Sequence, residues 1–159
     1  MKDALKSVDV RQSVLMGIEH IRNNVDRERD CRPCFRFNLV GPPVWAQHEA
    51  ADTPHTVGRF LHALNMCAGI TELPDDAELL EGLRKLLFES CGRGNGFAWD
   101  DMGDPPVAYM HHQRETLLGL VAIRKILDDR QAESFELIRL VQLNLIPSTT
   151  SVWSSSPLV

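Results

Sequence analysis

The stretch Trp45-Ala46-Gln47-His48-Glu49-Ala50-Ala51-Asp52-Thr53-Pro54-His55-Thr56-Val57-Gly58-Arg59-Phe60-Leu61-His62-Ala63-Leu64 begins as a loop and ends as a helix. Thr53 reads as the N-cap and Pro54 as the first helical residue, where its missing N–H and fixed φ cost nothing. The helix is expected to run from Pro54 to about Ala68. Val57, Phe60, Leu61, Leu64 and Ala68 fall within ~100° of arc, with His55, Arg59, His62 and Met66 within ~60° on the other side. The polar stripe reads either as a solvated face or as a set of groups delivered to a ligand.

Upstream, Val10, Val14, Ile18, Ile21 and Val25 recur at spacings of four, four, three and four. They predict an amphipathic helix over Val10 to Arg29 with one wet side, which carries Arg11, Glu19 and Arg22. Between it and the opening stretch, Phe35-Arg36-Phe37-Asn38-Leu39-Val40 predicts a short extended segment near 35–40. Gly41-Pro42-Pro43 ends it. So long a connection in a compact domain favours a functional role.

Downstream, Gly69 is placed to close the second helix, and Asp75 with Glu78 resembles a capping box. A third helix is expected from Asp76 to Cys91, with Leu79, Leu80, Leu83, Leu86 and Leu87 on one side and Glu81 paired with Lys85. Gly92 ends it. A second long loop, Arg93 to Pro106, again mixes aromatics with carboxylates. A fourth helix, Val107 to Asp128, carries apolar residues around nearly its whole circumference and is expected to be buried on all sides. His111, His112, Gln113, Arg114 and Glu115 crowd its first turns. A fifth helix is expected over Gln131 to Ile146, stopped by Pro147. The Ser-rich segment 148–159 reads as an irregular tail.

The fold class expected is all-α, with residues 1–147 as one domain. A chain of 159 residues is the size of one domain and buries roughly 68–70% of its unfolded surface. With 43% hydrophobic and 25% charged residues its composition is that of a globular protein. A net charge of −5 with scattered Lys and Arg argues against nucleic acid. No run approaches the ~18 apolar residues of a membrane span, and residues 1–7 hold no apolar leader core, so no membrane association and a cytoplasmic location are expected. Of the cysteines at 31, 34, 67 and 91, only Cys31 and Cys34 have metal-like spacing. Zinc would need two more ligands, so no metal and no cofactor are expected, and Cys67 and Cys91 read as small apolar residues on helices.

One-sided helices one and three each lead through a long loop into helices two and four, an alternation of outer and inner helices. Together with Trp45, His48-Glu49, Asp52-Thr53-Pro54-His55-Thr56-Val57-Gly58-Arg59, Gly96-Phe97-Ala98-Trp99-Asp100 and His112-Gln113-Arg114-Glu115, it resembles the six-hairpin (α/α)-toroid glycosidase superfamily over about residues 10–145. The resemblance implies a partial toroid of about two and a half helical hairpins, with a carbohydrate cleft where the loops meet the inner helices.

Glycoside cleavage uses two carboxyl groups, and Asp52, Asp100, Asp101 and Glu115 are the catalytic candidates. Trp45, His48, Glu49, His55, Arg59, Trp99, His112 and Arg114 are the candidates for binding substrate. Trp45 and Trp99 offer flat faces to sugar rings, and Arg59 offers a guanidinium to a carboxylate or hydroxyl. A closed ring of six hairpins needs more than twice the helices found here. The resemblance therefore describes a fragment or truncated member whose activity is doubtful, its open edges covered by self-association or by the missing hairpins. The alternative is a non-catalytic helical interaction module associating through exposed apolar edges. A metal-binding protein using Cys31, Cys34 and nearby histidines is a third reading.

Overall fold

A computed structural model describes residues 9–34, 36–47, 53–92, 97–99 and 108–135. The chain is mainly helical. Helix α1 spans Val10–Asn23, α2 Thr53–Ala68, α3 Ala77–Ser90 and α4 Met110–Leu127, and residues 130–135 are helical again. Two small antiparallel ladders lie between α1 and α2. Strand β1 (Val25–Asp26) pairs with β2 (Arg32–Pro33), and β3 (Arg36–Asn38) pairs with β4 (Trp45–Gln47). The extended segment expected near 35–40 is thus one arm of a hairpin, with Asn38 opposite Trp45.

Helix α1 stops six residues short of the expected Arg29. Its N-cap is Asp9, which accepts from the Gln12 N–H at 3.0 Å. At the other end the Asn24 side chain donates to the His20 carbonyl at 2.7 Å and ties off the last turn. Val25 keeps its place on the apolar stripe but as a strand residue packed on the core. Val10, in the same stripe, overshoots the core and is exposed. Asp30 and Cys31 then take left-handed backbone, both at φ 54°, to turn the first hairpin.

That turn docks on α3. Cys31 is fully buried, and its Cβ would lie 3.0 Å from a Cβ built on Gly82, with the Asp30 carbonyl oxygen only 2.5 Å away. Only a residue without a side chain lets the turn approach α3 so closely. Lys85 on α3 donates to Asp30 at 2.8 Å. The N-cap of α3 is Asp76, one residue beyond the expected Asp75, and it accepts from the Leu79 N–H at 3.2 Å. Its carboxylate also takes Arg22 at 3.0 Å and Arg27 through two bonds of 2.8 Å. These guanidinia, Arg27 foremost, hold the Asp76 carboxyl far below the usual range. The expected leucine face of α3 is the buried one, with Leu79, Leu83, Leu86 and Leu87 in the core and Leu80 packed against it.

In α2, Val57, Leu61 and Leu64 are buried, as their spacing implies, whereas Ala68 is exposed. Thr53 is the first helical residue rather than the cap. Gly69 follows the helix, but its φ is not left-handed. Helix α2 packs on α4 backbone to backbone. A Cβ on Gly58 would sit 2.2 Å from the Glu115 carbonyl oxygen, and one on Gly119 would sit 3.0 Å from the Gly58 Cα. Since His55 meets His111 and His112 while Gly58 meets Glu115, Thr116 and Gly119, position advances together along both helices. They therefore run parallel. Helix α3 runs the other way, because Ser90 accepts from the Trp99 N–H before α4 while Arg84 bonds Asp129 beyond its end.

The expectation that α4 is buried on all sides is wrong. Leu120, Ala122 and Ile123 are buried, but Leu117, Leu118, Val121 and Ile126 are only half-buried and Leu127 is exposed. The buried part of its first turns is polar, and the Gly58–Gly119 crossing is what brings that side inward. Asp129 caps the last helical segment by accepting from the Gln131 and Ala132 N–H groups, and Phe135 packs edge-on against Phe88 with centroids 5.2 Å apart. Among the described residues no helix is long and apolar enough to cross a membrane.

Candidate functional site

Two parallel helices joined by an antiparallel one present their N-termini at the same end. From α2 that end receives His55 and, one turn later, Arg59. From α4 it receives His111, His112, Arg114 and Glu115, preceded by Tyr109. The His55 ring lies 5.1 Å from that of His111 and 6.3 Å from that of His112, and the His111 and His112 rings are 4.3 Å apart. Tyr109 stacks on His111 at 5.4 Å and meets His112 edge-on at 5.2 Å. His112 is buried, His55 half-buried, and His111 and Tyr109 exposed.

The Glu115 side chain is only 3% exposed. Burial by itself would push its carboxyl up, but the hydrogen bonds and charge of Arg114 and the charge of Arg59 together hold it below the ordinary value. Arg114 donates from Nε at 3.1 Å and more closely from Nη2, and the Arg59 Nε lies 3.5 Å away. Both guanidinia reach solvent. Glu115 is therefore an ionised carboxylate. Such a carboxylate is suited to accepting a proton or balancing a positive charge rather than to donating a proton.

Trp99 comes to the same helix through its neighbour. The Gln113 side-chain amide accepts from the Ala98 N–H at 2.9 Å and donates to the Ala98 carbonyl at 2.7 Å, with a further bond to the Tyr109 carbonyl at 3.2 Å. Gln113 and Ala98 are both buried. Sequence reasoning missed this contact. The available signal was a Gln in the first turn of a helix behind a long loop, and a segment with no ladder of its own needs such a partner for its backbone.

Of the candidates, then, His55, Arg59, His112, Arg114 and Glu115 are brought together, and Trp99 is tied to α4 beside them. Trp45 belongs to the β3–β4 hairpin, 42% exposed. His48, Glu49, Asp52, Asp100 and Asp101 lie outside the described residues.

Among the described residues, no group of three or more His, Cys, Asp or Glu side chains is placed to hold a metal ion. Cys31 and Cys91 are buried and Cys34 and Cys67 half-buried, and none of the four is in a disulfide. Burial raises the Cys31, Cys34 and Cys67 thiols above their ordinary value, which makes them less reactive. A cavity of about 10 Å³ between Ile18, Leu64, Leu73 and Leu79 has room for about one water and shares no residue with the histidine group. No family model matches the chain, and neither a curated protein nor a solved structure matches it.

Proposed function

We propose that the chain is part of a glycosidase-like (α/α) toroid and carries part of a carbohydrate-binding cleft at the shared N-terminal end of α2 and α4. The observation that supports this reading is the parallel course of those two helices, which gathers His55, Arg59, His112, Arg114 and Glu115 at one end. Inner helices of a toroid run parallel, each joined to the next through an outer helix, and in this reading α3 is the outer helix between α2 and α4. Imidazoles, guanidinia and a tryptophan on one rim suit a ligand with many hydroxyls and flat apolar ring faces.

A second reading rests on Leu39, Val40 and Val44 at the tip of the β3–β4 hairpin, which are 75%, 90% and 69% exposed. An apolar tip of that kind suits a helical module that binds a protein partner.

Calorimetric titration with a panel of neutral and acidic oligosaccharides and aryl glycosides separates the two. The carbohydrate reading expects binding to at least one member, weakened about tenfold or more by Trp99→Ala and by Arg59→Ala. Absence of binding to every member, with self-association in size-exclusion chromatography, would favour the module.

A further inference from the structure

We infer that Gln113 is a positioning residue, a buried amide clamp that sets where Trp99 stands relative to the α2–α4 end. Ala98 makes the usual strand-like pair of hydrogen bonds, but with a side chain instead of a neighbouring strand. Its N–H goes to Gln113 Oε1 at 2.9 Å and its carbonyl accepts from Nε2 at 2.7 Å. The same Nε2 reaches the Tyr109 carbonyl at 3.2 Å, so one amide joins the 97–99 segment to the residue that opens α4. On the other side of Ala98, the Trp99 N–H donates to the Ser90 carbonyl at 2.9 Å. The backbone at 98 and 99 is thereby held between α3 and α4. Trp99 inherits a fixed base from which its ring projects. A ligand-stacking role for that ring rests on the proposed carbohydrate reading, whereas the clamp does not.

The chemistry supplies a reversible test. In Gln113→Glu the ionised carboxylate still accepts from the Ala98 N–H, but it repels the Ala98 and Tyr109 carbonyls. Once protonated it has one donor and one acceptor again and can remake both bonds to Ala98. Burial among carbonyls raises that carboxyl, which brings its protonation into an accessible pH range. For the test, Trp45→Phe and Trp153→Phe are introduced so that Trp99 is the one remaining tryptophan.

With Gln113 present, Trp99 emission and quenching by acrylamide are expected to change little between pH 8 and pH 5. The same scan records any contribution from His55, His111 and His112 and from the Arg59–Glu115–Arg114 group. In Gln113→Glu, Trp99 should be red-shifted and more quenchable at pH 8 and return toward the parent as pH falls. In Gln113→Ala it should stay shifted throughout. The Ala98 amide of Gln113→Ala, left without its acceptor, should exchange at least about tenfold faster at pH 8. A parent-like Trp99 in both folded variants at pH 8, or a Gln113→Glu signal that does not recover on acidification, overturns the clamp. Neither readout needs a sugar, so failure of the carbohydrate reading leaves this result interpretable.

Discussion

Replacing Gly58 with alanine is expected to cost about 3 kcal/mol or more and to lower the midpoint of thermal unfolding by roughly 6–12 °C. The added methyl would lie 2.2 Å from the Glu115 carbonyl oxygen and 2.5 Å from its carbon, and both belong to the backbone of a packed helix. A side chain could rotate away, but here only separation of α2 from α4 relieves the clash. Separation would also move His55 and Arg59 away from His112 and Glu115, so loss of stability and loss of the site should occur together. Gly17→Ala is the control. It lies on the exposed side of α1 with nothing within 4 Å of the new methyl, and should stabilise by about 0.5–1 kcal/mol through helix propensity. Urea unfolding of both variants makes the comparison. A Gly58→Ala loss below about 1 kcal/mol would mean that the two backbones do not touch.

Asp76→Ala should be the next most damaging substitution, at about 2–3 kcal/mol. It removes an N-cap, worth about 1 kcal/mol, and leaves Arg22 and Arg27 without their shared carboxylate. The Asp76 side chain is only 10% exposed, so salt screens this group less than an ordinary surface pair. The direction of its pKa fixes the pH dependence. Because the folded value lies below the unfolded one, the stabilisation is complete above the ordinary carboxylate range, near pH 4, and is lost as pH falls further toward the folded value. The stability difference between wild type and Asp76→Asn should therefore be flat from pH 8 to about pH 5 and shrink only below about pH 4. A difference that vanished between pH 7 and pH 5 would point instead to histidines.

Local pattern carried the helices well where helical spacing coincides with burial. Val57, Leu61 and Leu64 in α2 and Leu79, Leu83, Leu86 and Leu87 in α3 are the core residues their spacing implies. It misled where one periodicity continues through a change of structure. Val25 faces the core from a strand as readily as from a helix, which is why its spacing predicts an α1 that runs past Asn24. In α4, counting apolar residues pointed to burial of the whole circumference. The inward side of its first turns instead holds His112, Gln113, Glu115 and Thr116 beside a glycine contact with α2. A close approach between residues 58 and 119 has no local signature beyond the two glycines.

The site divides in the same way. His55 and Arg59 were legible as one helical stripe, and His112, Arg114 and Glu115 as the polar opening of another. Their convergence depends on two helices running parallel, which no window of sequence contains. Glu115 is legible as a candidate catalytic carboxyl by residue type alone. Its pairing with Arg114 and Arg59 makes it a held anion, and the Gln113–Ala98 pairing that steadies Trp99 joins residues fifteen apart.

The most direct test of the central claim, that the common end of α2 and α4 is a carbohydrate-binding rim, is a nuclear magnetic resonance titration of the isotopically labelled protein with the saccharide panel. The account predicts shifts concentrated at His55, Arg59, Trp99, His112 and Arg114, with the Leu39 to Val44 tip unmoved. Shifts confined to that tip, or none with any member of the panel, would contradict it.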